Sequence, residues 1–128
     1  MGVHMRNISM SYVTPAFVGD AKCVTRRHWK PEYAKSFKAG DTLVVMDRQP
    51  RFNGRKIGEM ELLEAPYLEN IGVWSGREEQ LYRMEGFAFM EDKNIVPEHA
   101  PLLKLAHSWV ETNDELFVVP FKTTEILP

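Results

Sequence analysis

The chain has few of the residues that mark several common chemistries. Cys23 is its one cysteine, which excludes an intrachain disulfide and a multi-cysteine zinc site. The four histidines, His4, His28, His99 and His107, show no metal-ligand spacing, so no metal is expected. No apolar run approaches the ~18 residues of a membrane span, and the N-terminus lacks the apolar stretch of a signal peptide. The expectation is a soluble, cytoplasmic protein of a reducing compartment. A glycine-rich phosphate loop and a G-x-S-x-G elbow are both missing, so no cofactor is implied.

What is present is ordinary globular composition. Of 128 residues, 44% are hydrophobic and 27% charged, which argues against disorder and for one domain. Residues 1–5 (MGVHM) resemble a cloning remnant or leader, leaving 6–128 as the expected domain. The net charge of −2 hides an asymmetry. Residues 22–56 carry ten Lys/Arg against three Asp/Glu, and residues 57–128 carry five against fourteen. A basic segment facing an anion explains this, and so do acidic and basic elements packed side by side.

Alternation over residues 6–11 predicts a strand. Thr14-Pro15 predicts an N-cap and first turn, closed at Gly19. Residues 20–30 show no clean period and read as a surface loop or irregular strand. Leu43, Val44 and Val45 predict a strand buried on both faces, and Asn53-Gly54 predicts a hairpin turn. Residues 67–73 are extended or helical. Ser75 with Glu78 reads as a capping box for a helix that Gly86 ends. A further helix is expected from Pro97 or Ala100, its apolar face including Leu105, Ala106 and Trp109. A last strand over Asp114–Phe121 carries Pro120, which marks an edge or an end. The order predicts an α+β fold, a small mixed β-sheet or barrel with flanking helices.

The densest chemistry lies in Lys22-Cys23-Val24-Thr25-Arg26-Arg27. A lysine beside two arginines should have a lowered pKa and act as a base, and a threonine beside a base becomes a nucleophile. The same residues also read as a loop that grips a phosphate or stands in solvent. Cys23, next to cations, is either a reactive thiol or a small packed residue. Glu85 sits at the unfavourable end of a helix dipole and needs a cationic partner, unless it is simply exposed. Trp29, Tyr33, Phe52 and Trp74 are candidates for base stacking or for the core.

Taken in order, Thr14-Pro15-Ala16-Phe17, the Lys22–Arg27 segment, Ala39-Gly40-Asp41 and Met84-Glu85-Gly86-Phe87 resemble an ASCH domain, a PUA-like β-barrel family, over residues 7–121. Two features depart from its G-x-K-T-x-T-x-R signature: the glycine falls at Gly19, and Cys23 replaces the first threonine. The resemblance implies a small PUA-like mixed β-barrel and a cleft that binds RNA or a modified nucleoside, with Arg26, Arg27, Cys23 and Trp29 as ligand contacts. One branch of the family implies instead a hydrolase, either an N4-acetylcytidine-type amidohydrolase or a ribonuclease. In that branch Thr25 would be the nucleophile, Lys22 the base and Glu85 the orienting carboxylate.

Overall fold

The computed structural model describes residues 6–10, 13–93 and 102–128. The expected leader at 1–5, the helix start at Pro97 or Ala100, and His4 and His99 lie outside the described residues. The elements run β1 (Asn7–Ser9), α1 (Thr14–Val18), β2 (Val24–Arg27), α2 (Pro31–Lys35), β3 (Thr42–Met46), β4 (Lys56–Leu62), β5 (Tyr67–Asn70), α3 (Glu78–Met84), α4 (Phe87–Asp92), α5 (Leu102–Glu111) and β6 (Glu115–Ile126). The mixed α+β expectation thus holds at the level of a curled six-stranded sheet, a half-barrel, with several helices.

The sheet order is β1-β3-β4-β6-β2, with β5 beside the first half of β6. β1 pairs parallel to β3, and the other pairings are antiparallel. Alternation in β4 sends Gly58, Met60 and Leu62 inward. With Leu43, Val45, Val119 and Phe121 they form the sheet side of the core. Phe17 of α1, Leu81 of α3, Met90 of α4 and Ala106 and Val110 of α5 complete it.

β6 is the spine of the sheet. Its first half lies between β5 and β2, and its second half pairs with β4. Pro120 sits inside this strand, not at its end. The Pro120 carbonyl accepts from the Leu63 amide, so the absent N–H falls at the break between β4 and β5, where no ladder bond is lost.

Other expectations are corrected. Residues 24–27 form a strand, one of the two readings of that segment, but a largely buried one and not at the surface. In β3 only Leu43 and Val45 are fully buried, so that strand has one core face. Residues 67–73 divide into β5 and a 3-10 turn, Ile71–Trp74, capped by the Asn70 side chain. Arg77, not Ser75, precedes α3, and Glu78 accepts from the Gly76 amide instead. Asn53-Gly54 lies in a longer connection between β3 and β4 that includes a 3-10 turn.

β1 and β2 stand at the two ends of the sheet order and share no ladder. The open seam between them is bridged by one side chain: Arg27 Nη2 donates to the Ser9 carbonyl at 2.6 Å.

Candidate functional site

Four polar or charged residues are buried among those described: Lys22 (4% exposed), Thr25 (4%), Arg26 (8%) and Glu85 (3%). They come from β2, the turn before it and the end of α3. All four line one cavity of about 480 Å³.

Local structure explains how they meet. Gly86 adopts a left-handed conformation (φ +85°), open to glycine at little cost, and turns the chain sharply between α3 and α4. That turn leaves Glu85 as the residue that caps the C-terminal end of α3, aimed at β2. The Cys23 amide donates to the Met84 carbonyl at 3.2 Å, pinning the approach to β2 against the end of α3.

Glu85 is the hub. Lys22 Nζ donates to Glu85 Oε1 at 2.6 Å and to the Glu85 carbonyl at 3.3 Å. Arg26 Nη1 donates to Glu85 Oε2. Arg26 also lies 3.6 Å from Glu69 Oε1 on β5, and its guanidinium is 5.3 Å from the centre of the Trp74 ring. Trp74 Nε1 in turn donates to Glu69 at 2.7 Å. Burial pushes the Lys22 ammonium below its ordinary pKa, an effect Glu85 opposes but does not cancel. The neighbouring arginines, which the sequence offered as the cause, contribute least.

Arg27 differs from its two neighbours. Its Nε donates to Thr25 Oγ1 at 3.1 Å and its Nη2 to Ser9. No carboxylate among the described residues lies within ion-pair distance of it. Burial lowers its pKa, with Glu85 opposing, but a guanidinium stays charged at any ordinary pH. The cavity wall therefore keeps one cation without a counter-ion.

The remaining walls are apolar or hydroxylic. α5 presents Leu105 and Trp109 one turn apart, with Ser108 and Thr112 beside them. Met10, Val13 and Phe87 add apolar surface. The volume lies within the range of small-molecule sites, as does the combination of apolar walls and a few convergent polar groups. Glu85 holds two of the fixed donors. One N–H of Lys22, the Thr25 hydroxyl proton, the Arg27 Nη1 group and the buried Arg26 Nε are left without a partner among the described residues. The site favours a ligand edge rich in acceptors.

Lys22, Thr25, Arg26, Arg27 and Glu85 therefore converge. Cys23 and Trp29 do not join them. Cys23 is exposed and lines a different cavity of about 340 Å³ beside Asp20, Phe121 and Lys122, which Lys22 also reaches. Trp29 stacks on Phe37 at 4.9 Å and meets Tyr33 edge-on at 5.0 Å, lining a separate cavity. Glu69 and the Leu105/Trp109 stripe escaped sequence reasoning as site residues. The i, i+4 spacing of the stripe was visible only as a core face. Among the described residues, no three His, Cys, Asp or Glu side chains cluster as a metal would require. No helix among them is long and apolar enough to cross a membrane.

No protein-family model matches the chain, and no curated protein sequence matches it. Among solved structures it is similar to the crystal structure of protein EF3133 from Enterococcus faecalis V583, of family DUF984. The TM-score is 0.59 at 16% identity, over 99% of this chain and 85% of that one. At that identity the likeness is one of fold.

Proposed function

We propose that this chain is an ASCH-type, PUA-like domain that binds a nucleoside or nucleotide, free or within RNA, in the cavity floored by Lys22, Thr25, Arg26 and Glu85. One observation carries the reading: every buried charged side chain among the described residues lines that cavity. Burying three charges is a poor route to stability, since desolvation offsets most of their mutual attraction. Their concentration at one hollow fits a binding site. The unpartnered donors suit the carbonyl oxygens and ring nitrogens of a base, and Trp109, Phe87 and Leu105 suit its flat faces.

Titration calorimetry with the four common nucleosides, their monophosphates and N4-acetylcytidine tests this. The expected result is saturable binding of at least one, lost in Glu85→Ala. Absence of binding by all of them overturns the reading.

One feature favours hydrolysis as a second reading. Burial lowers the Lys22 pKa, which favours the neutral amine a general base requires. In that reaction the Thr25 oxygen attacks the amide carbon as its proton passes to Lys22. Lys22 then returns a proton to the leaving amine, and water releases the acyl group from Thr25. Incubation with N4-acetylcytidine followed by chromatography decides between the two. Turnover abolished in both Thr25→Ala and Lys22→Met supports the hydrolase, and binding without product supports the binder.

A further inference from the structure

A second cavity of about 350 Å³ lies across the open seam of the half-barrel. It shares Ser9 and Arg27 with the first, so those two residues form a common wall. Trp29, Tyr33, Gln49 and Arg51 supply the rest of its functional lining. Its lining holds two arginines and no carboxylate. No acidic group among the described residues pairs with either arginine, whereas Lys22 and Arg26 in the first cavity are both held by Glu85. Two guanidinium groups without counter-ions suit a tetrahedral oxyanion: Arg51, and Arg27, which is half-buried in the partition between the two hollows and keeps Nη1 uncommitted. Tyr33 is substantially exposed at the same place, with its ring held edge-on against Trp29 and Phe37 and the Arg6 guanidinium 5.6 Å from its centre.

We infer that the two cavities form one groove for a nucleotide carrying a phosphodiester or phosphate. The base occupies the first cavity, the phosphate lies on Arg27 and Arg51, and the next nucleotide of a strand rests against Tyr33. The inference depends on the nucleoside reading above and extends it: the preferred ligand is phosphorylated, and a short single strand binds better than a free nucleoside. The basic excess of residues 22–56 gains a role in it, because Arg27 and Arg51 both belong to that segment. Stacking on an aromatic ring and charge-assisted bonds to phosphate are the two contributions that single-strand binding sites combine.

The test compares four probes by calorimetry: a nucleoside, its 3′-monophosphate, its 5′-monophosphate and a mixed-sequence RNA hexamer. The phosphorylated probes should bind about ten- to a hundredfold tighter than the nucleoside. Arg51→Ala, a change at an exposed side chain, should remove most of that gain and leave the nucleoside affinity within about twofold. It should also lower the salt slope for the hexamer by about 0.7. Tyr33→Ala should weaken the hexamer and leave the monophosphates unchanged. A difference between the two monophosphates reports which side of the sugar faces Arg27. If the nucleoside binds as tightly as every phosphorylated probe, or Arg51→Ala leaves the phosphorylated probes unaffected, the groove is disproved and the nucleoside site stands. Failure of all four probes removes both.

Discussion

Glu85 is the residue on which the site turns. Its carboxylate is the only acidic partner of Lys22 and the nearer of two for Arg26 among the described residues. Truncating it leaves buried Lys22 without a counter-ion and buried Arg26 with only the more distant Glu69. Glu85→Ala should therefore lower stability by about 3–5 kcal/mol in urea denaturation. Replacing the whole network, as Lys22→Met with Arg26→Leu and Glu85→Leu, should recover much of that loss while abolishing ligand binding. If the triple variant bound normally, the network would have no role in recognition.

Lys22 gives the same site a pH signature. Its pKa is depressed below 10.5 in the folded protein, chiefly by burial. Between the folded value and 10.5 the unfolded chain holds a proton that the native state has lost, so stability rises with pH across that window and is lost as pH falls through the folded value. The stability difference between the wild-type protein and Lys22→Met should move in favour of the wild type as pH increases toward 10.5. A constant difference would mean that Lys22 titrates alike in both states.

At the scale of elements, the joint between α3 and α4 controls where Glu85 points. A Cβ on Gly86 would fall 2.5 Å from the Ala16 Cβ and 3.3 Å from the Lys22 Cβ. Gly86→Ala forces a left-handed alanine, at a cost of about 1–2 kcal/mol, and overpacks α1 by about 1–3 kcal/mol more. The expected outcome is a lower melting temperature together with weaker nucleoside binding, because the same clash pushes on Lys22. The joint was legible in the sequence: Met84-Glu85-Gly86-Phe87 placed a carboxylate at a helix end and a glycine to stop it. The burial of β2 was not legible, because Arg26 and Arg27, like Lys22 just before the strand, are charged residues in a segment that packs inside. Hydrophobic alternation has no way to register charges that are buried against one another. The two proline signals show the same limit. Pro15 marked a helix start from local geometry alone, while Pro120 lies mid-strand because its missing donor falls at a break between two partners, a fact of tertiary pairing.

For the molecule as a whole, the site joins parts of the chain that are distant in sequence: β1, β2, the end of α3 and α5 all reach the cavity. A ligand there ties the half-barrel to its helices and can bind only the folded state. At a hundredfold excess over its Kd, a bound nucleotide should stabilise the protein by about 2.7 kcal/mol, read as a rise in melting temperature that scales with ligand concentration. The charge asymmetry of the sequence takes a physical form at this scale. The acidic second half supplies Glu69 and Glu85 to Arg26 and Lys22 from the basic segment, so part of the asymmetry is cancelled by packing. Seven of the ten cations of that segment have no ion-pair partner among the described residues, and two of these, Arg27 and Arg51, stand along the seam. Composition gave the imbalance. Only the fold separates the cations that are neutralised from those that are not.

The most direct measurement is the crystal structure of the protein with a nucleoside or nucleoside monophosphate soaked at saturating concentration. The base should lie in the cavity beside Trp109 and Phe87, with an acceptor atom within about 3.2 Å of Lys22, Thr25 or Arg27. A ligand bound elsewhere on the surface, with this cavity unchanged, would contradict the assignment of Lys22, Thr25, Arg26 and Glu85 to recognition.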